Sequence, residues 1–280
     1  MYYKIKNKKE ILNLKGLLKM VKLISADMDG TLLDSNKELS PELFPLIESL
    51  AEQGVRFVAA SGRQYYNLEH IFEPVKDKMI FIAENGSVVF ENDMNIFASV
   101  IAKERVREIV KAIRQIPGAS PVICGLKSAY AESDEPELLK NAEMYYHHYD
   151  IMEDILTAED DICKIAVYDY VNAETNSHAP LLEAFGGQME IAVSGEHWVD
   201  ISNPGCNKGT AINKIQEKYG ISYEETMLFG DYLNDYEMMK TGRYSYAMEN
   251  AHPQLKEICS YTAKSNDENG VVEAIRAYFK

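Results

Sequence analysis

Apolar residues in this chain fall into short runs, and each early run ends in a polar turn. Leu23-Ile24-Ser25-Ala26 ends in Asp27, Val55-Arg56-Phe57-Val58-Ala59 ends in Ala60-Ser61-Gly62-Arg63, and Met79-Ile80-Phe81-Ile82-Ala83 ends in Glu84-Asn85-Gly86. Runs this short, without alternation, read as strands buried on both faces. Between the first two, Ser40-Pro41-Glu42 opens a helix predicted over 41–53, with Ser40 as cap, Pro41 at the first position and Gly54 as the stop. A second helix is predicted over 64–72. Strand–helix–strand alternation at this spacing predicts a parallel sheet with right-handed crossovers.

The pattern changes after Gly86. Residues 87–90 and 95–99 flank Asn92-Asp93, a hairpin turn. Helices follow over 103–116, 136–149 and 178–185, among short strands near 121–124, 128–131, 163–170, 189–193 and 197–201. This mixture reads as an α+β unit inserted over 87–190. The doubly wound pattern resumes with a helix over 208–219 ending at Gly220, strands over 226–229 and 244–248, and helices over 253–259 and 271–279. The fold class is therefore α/β, a doubly wound, mostly parallel sheet formed by 21–86 and 191–280, with an inserted α+β domain.

Length and charge narrow the function. A chain of 280 residues suits one large domain plus an insertion. A formal charge of −15 disfavours nucleic acid, whose binding needs a basic face. It also gives no long-range attraction for an anionic substrate, so a phosphate site needs local cations. Cys124, Cys163, Cys206 and Cys259 lie far apart, which suits a reduced, cytoplasmic protein better than a disulfide framework or a zinc site. No apolar run approaches the roughly 20 residues of a membrane span. Residues 1–20 are basic, with Lys4, Lys6, Lys8, Lys9, Lys15 and Lys19, and lack a signal-peptide cleavage site. They read as an over-long start or a loosely attached helix, with no function assigned.

The chemistry gathers at the strand ends. Asp27 and Asp29 are two residues apart, so in an extended chain both face one site, at the edge where open α/β sheets bind ligands. Two carboxylates this close repel, and a bound cation or a shared proton relieves them. Asp231, Asn234 and Asp235 share one face if a helix begins there. Oxygen ligands of this kind suit Mg²⁺. Lys208 opens a helix, beside free backbone N–H groups that favour anions, and Ser61-Gly62 adds a hydroxyl and an accessible N–H. Carboxylates for a metal, one spare carboxylate and a cationic cradle suit phosphoryl transfer. One Asp can attack phosphorus, and the other can carry a proton to and from the leaving oxygen.

Asp27-Met28-Asp29-Gly30-Thr31-Leu32-Leu33-Asp34 resembles the first signature of the haloacid dehalogenase superfamily. Ser61 in Ala60-Ser61-Gly62-Arg63 matches its second motif, Lys208-Gly209 its third, and Gly230-Asp231-Tyr232-Leu233-Asn234-Asp235 its fourth. The tail, with Ala247-Met248-Glu249-Asn250-Ala251 and Asn266-Asp267-Glu268-Asn269-Gly270-Val271, is similar to the Cof-type subgroup. The resemblance covers nearly everything from Val21 onward and implies a Mg²⁺-dependent phosphatase acting on small phosphorylated metabolites. It implies Asp27 as nucleophile and metal ligand. Asp29 would be the general acid/base and give the metal its backbone carbonyl. Asp231 would be the other metal carboxylate, with Asn234 and Asp235 supporting metal or phosphate from behind. Ser61, Gly62 and Lys208 would hold the phosphoryl oxygens, and the insertion would be a large α+β cap, of the type called IIB, that selects the leaving group. A phosphomutase of the same fold and a non-catalytic, metal-dependent binding protein are the alternatives. His147, His148 and Trp198 read as packing residues. The cap sequence does not name the substrate.

Overall fold

A computed structural model describes residues 20–280. The basic segment over 1–20 therefore lies outside the described residues, apart from Met20.

The first half of the main sheet follows the sequence pattern. Strand β1 is Leu23–Asp27, helix α1 Leu43–Glu52, β2 Arg56–Ala60, α2 Tyr65–Ile71 and β3 Met79–Ala83. Helix α1 starts two residues later than expected. Ser40 caps a preceding turn, accepting from the Glu42 N–H at 3.3 Å through its hydroxyl and from the Leu43 N–H at 3.0 Å through its carbonyl. After β3 come β4 Val88–Glu91 and β5 Met94–Ala98, joined by Asn92 and Asp93, both with positive φ as a tight hairpin requires.

The inserted unit then runs through α3 Lys103–Ile113, β6 Ala119–Gly125, β7 Ala129–Ala131, α4 Pro136–Ala142, β8 Tyr149–Ile151, β9 Ile162–Asp169, α5 Ala179–Phe185, β10 Glu190–Gly195 and β11 Trp198–Ser202. The chain returns with α6 Lys208–Tyr219, β12 Thr226–Gly230, α7 Tyr236–Met239, β13 Tyr244–Met248, α8 Pro253–Ile258, β14 Tyr261–Ala263 and α9 Gly270–Phe279. No helix among the described residues is long and apolar enough to cross a membrane.

Two sheets result. The eight-stranded sheet has the order β14-β13-β12-β1-β2-β3-β4-β5 and is parallel from β14 to β3, with β4 and β5 added antiparallel. The six-stranded sheet has the order β10-β11-β9-β6-β7-β8. This corrects the expected boundary of 87–190. The hairpin β4–β5 hydrogen-bonds to β3 and extends the core sheet, while β10 and β11 pair with β9 and belong to the insertion. Strand membership depends on which edge is free to pair, and local sequence does not carry that information. The helix expected over 136–149 also stops at Ala142, and residues 143–148 form turns held by partners in the core.

The main core surrounds the central strands, with Leu23, Ile24, Phe57, Val58, Phe81, Leu228 and Phe229 at most 1% exposed. The cap sheet is apolar on both faces. Ile165, Val167, Val199 and Ile201 pack with α3 and α5, while Ala166, Tyr168 and Trp198 face the other way with Tyr146 and Leu138. Period-two alternation along β9 and β11 sorts these two sets.

Candidate active site

The parallel ladder brings the motifs together. Asp27 lies opposite Ala60 on β2, and Ala26 lies opposite Phe229 on β12, so Ser61 and Asp231 emerge from the same edge as Asp27. Beyond Asp27 the chain folds back, with Leu32 and Leu33 N–H groups donating to the Met28 carbonyl at 3.0 and 2.9 Å. Gly30 makes this possible, since its φ is +82° and a Cβ there would stand 2.3 Å from Asp231 Oδ2.

Lys208 opens α6, whose first turn is capped by Asn207 accepting from the Thr210 N–H at 2.9 Å. Its ammonium is fully buried and donates to Asp27 Oδ1 at 2.5 Å and Asp235 Oδ1 at 2.7 Å. Asp235 accepts from the Asp231 and Tyr232 N–H groups at 3.1 and 3.3 Å, and Thr31 donates to Asp231 Oδ1 at 3.1 Å. Oxygens of Asp27, Asp231 and Asp235 lie within 4.8 Å of one another.

Three carboxylates thus share one ammonium. Burial pushes the Asp27 carboxyl well above the usual range, against the pull of Lys208 and with repulsion from Asp235 and Asp231 adding to it. Burial, then Asp235, raises Asp231 to about 6. Excess negative charge held by an all-oxygen donor set fits a hard divalent cation such as Mg²⁺. Asp235 is more central than expected, since it holds Lys208 and joins the carboxylate cluster. Lys208 is bonded to carboxylates on both sides.

Asp29 goes elsewhere. The strand ends at Asp27, so two-residue alternation stops there, and Asp29 faces Arg63. The guanidinium donates to both Asp29 oxygens at 2.9 Å, and Lys37 adds a third contact at 2.9 Å. Burial alone would raise this carboxyl, but Arg63 and Lys37 outweigh it and hold it below the usual value. Arg63 also donates to Asn67 at 3.1 Å and to the cap carbonyl of Met144 at 3.0 Å. The adjacent Gln64 is buried and accepts from the His147 and His148 N–H groups at 3.0 and 2.9 Å, while donating to the His148 carbonyl at 2.8 Å. His148 stacks on Tyr66 at 3.9 Å between centroids. The histidine pair is thus part of the cap–core seam.

Ser61 is buried, its Oγ accepting from the Arg63 N–H at 3.2 Å, and Gly62 is closely approached by the Asn85 amide. Asn234 is exposed and, instead of joining the carboxylates, donates to Asn85 at 3.3 Å, which donates to Asp200 of the cap at 3.3 Å. Sequence reading passed over Thr31, Arg63, Gln64 and Asn85. Thr31 and Arg63 stand inside the quoted motifs, whereas Gln64 and Asn85 show their roles only through distant partners.

Residues 24–275 match the model of the haloacid dehalogenase-like hydrolases. The chain belongs to this family. Among curated relatives, it is 32% identical over 262 residues to the 5-amino-6-(5-phospho-D-ribitylamino)uracil phosphatase YbjI of Escherichia coli, covering 93% of this chain and 97% of the relative. It is 25% identical to the phosphatase YwpJ of Bacillus subtilis, covering 91% and 99%. SMU.1108c from Streptococcus mutans superposes with a TM-score of 0.82 at 28% identity, covering 92% of this chain and 99% of that one. This haloacid dehalogenase-like protein is therefore a phosphoric monoester hydrolase.

Proposed function

We propose that the chain is a Mg²⁺-dependent phosphatase of small phosphorylated metabolites, sugar phosphates or cofactor phosphates, working through an aspartyl phosphate on Asp27. The observation that carries this reading is the convergence of Asp27, Asp231 and Asp235 at the carboxyl edge of the sheet, with Lys208 bonded to Asp27 and Asp235.

Asp231 and Asp27 would hold the cation, which supplies charge neutralisation on the phosphoryl oxygens. Lys208 keeps the Asp27 carboxylate fixed and balances charge as the transition state forms. Ser61 Oγ and the Gly62 N–H bind phosphoryl oxygens. An Asp27 oxygen attacks phosphorus while the bond to the leaving oxygen breaks, and Asp29 gives that oxygen its proton. Asp29 then takes a proton from the water that attacks the aspartyl phosphate, releasing inorganic phosphate and regenerating Asp27. At rest Arg63 keeps Asp29 ionised. A phosphate dianion beside Arg63 competes for the guanidinium and raises the proton affinity of Asp29, which prepares it as the acid.

The Escherichia coli relative is named for the phosphate ester of a ribitylaminouracil, so that ester belongs among the substrates tried. A cytoplasmic setting accords with the four free cysteines. The test is release of inorganic phosphate from a panel of sugar, nucleotide and cofactor phosphates, with and without Mg²⁺. Metal-dependent release that Asp27→Asn abolishes supports the reading. Release that survives in that variant, or that ignores chelation of the metal, rejects it.

A further inference from the structure

The cap sheet turns one face toward the phosphate loops, and two charged residues of that face meet the core there. Lys164 stands in the all-buried strand β9, and Asp200 in β11. Both meet the turn that follows β3. Lys164 Nζ lies 2.6 Å from Glu84 Oε2, 3.6 Å from Asp200 Oδ1 and 3.4 Å from the Gly62 carbonyl. Glu84 is 3% exposed and Lys164 4%. The turn is fastened to the phosphate loop, because the Glu84 N–H donates to the Arg63 carbonyl at 3.0 Å and the Asn85 N–H to the Ser61 carbonyl at 2.9 Å.

The charges in this seam do not balance. Two carboxylates face one ammonium. Asp200 receives the Asn85 amide as well, but neither Glu84 oxygen accepts a hydrogen bond of good geometry among the described residues. Oε2 lies nearest the charge of Lys164, and Oε1 accepts no hydrogen bond from those residues. A buried carboxylate oxygen without a donor is costly, and such groups in folded proteins have their partner supplied from somewhere. On the same cap face the Trp198 indole N–H is buried and, among the described residues, without an acceptor. Burial raises the Glu84 carboxyl against the pull of Lys164, with Asp200 adding to the rise.

We infer that Glu84 and Lys164 are specificity-determining residues, and that the open Glu84 oxygen accepts an N–H or O–H from the leaving group of the substrate. This rests on the phosphatase reading and gives it a substrate class. A seam with one excess negative charge favours esters whose alcohol carries an amine, then those with hydroxyls only, and disfavours those with a carboxylate. Lys164 holds Glu84 and Asp200 in place and lowers their joint pull on a cation.

The test compares glucosamine 6-phosphate, glucose 6-phosphate and 6-phosphogluconate with 4-nitrophenyl phosphate, using the full chain with Mg²⁺. In the parent, kcat/KM should fall in the order amine, hydroxyl, carboxylate. Glu84→Gln should lower the amine-to-hydroxyl ratio by about tenfold, the size expected when a charged hydrogen bond is weakened. Lys164→Met should raise the same ratio, since the substrate ammonium then faces two carboxylates without a counter-charge. Opposite movement of the two ratios is something a purely structural role would not produce. A common drop for all esters, with ratios unchanged within about twofold, overturns the inference while leaving the phosphatase reading intact. A parent that prefers the carboxylate ester also overturns it. Absence of turnover on every ester, 4-nitrophenyl phosphate included, rejects the phosphatase reading itself. Circular dichroism monitors folding, and if Lys164→Met does not fold, the Glu84→Gln ratio alone decides.

Discussion

Lys208 carries the charge balance of the site, and its neighbours show how stability is traded for chemistry. Asp27, Asp231 and Asp235 crowd around one ammonium, so removing one negative charge relieves repulsion even as it removes the proposed nucleophile. Asp27→Asn should therefore lower phosphate release by at least about 10³-fold, as loss of a covalent nucleophile does. The metal-free variant should melt no lower than the parent in a thermal scan. Gly30 tests the same site sterically. Its φ is +82°, and only 2.3 Å separates the place a Cβ would take from Asp231 Oδ2, so Gly30→Ala must push aside a carboxylate proposed to hold the metal. The expected result is a rise of roughly tenfold or more in the Mg²⁺ concentration for half-maximal activity, together with about 1–2 kcal/mol of lost stability from the left-handed backbone. A metal titration of activity and a melting curve read the two effects separately.

At the scale of elements, the turn Glu84-Asn85-Gly86 joins three parts of the molecule. All three residues have positive φ, and a Cβ on Gly86 would stand 2.3 Å from the Asn207 carbonyl oxygen and 2.8 Å from the Lys208 nitrogen. Those are backbone atoms at the start of α6, with no flexible side chain to yield. Gly86→Ala should cost about 2–3 kcal/mol or more, seen as a lower Tm, and should reduce kcat because Lys208 shifts with its helix. The strands that carry the motifs were legible because burial on both faces leaves continuous apolar runs, as in 79–83. Helix α6 was legible because Asn207 and Gly220 mark its ends locally. Residues 143–148 were misread as helix because their spacing suits one, while Gln64 and Arg63, some eighty positions away, hold them in turns. Strand β14 was missed since it has three residues, two of them exposed, at a sheet edge. Spacing marked Asp27, Asp231, Asp235 and Lys208 as polar groups at one sheet edge, but not that Lys208 bonds Asp27 and Asp235, which depends on how α6 packs against the loop after β12. The diversion of Asp29 to Arg63 was not legible either, because it depends on where β1 stops pairing.

Across the whole molecule, Gln64 ties the cap to the core with four hydrogen bonds to residues 145–148. Gln64→Ala should loosen the cap without touching the carboxylates. Amide exchange over 143–148 should speed up, and KM for a metabolite ester should rise more than KM for 4-nitrophenyl phosphate, which has less for the cap to grip. Unchanged exchange in that segment would count against the clamp.

The chain leaves the core after β5 and comes back after β11, and the two crossings lie side by side. Asn203 donates to Ser99 Oγ at 3.1 Å and to the Val100 carbonyl at 3.0 Å. A segment whose entrance and exit adjoin can be lifted out and replaced without rethreading the sheet. Under the specificity inferred for Glu84 and Lys164, reaction chemistry and substrate choice are therefore heritable apart from each other: a foreign cap grafted between these two neighbouring points is expected to bring its own taste in alcohols to an unaltered phosphate-cleaving base.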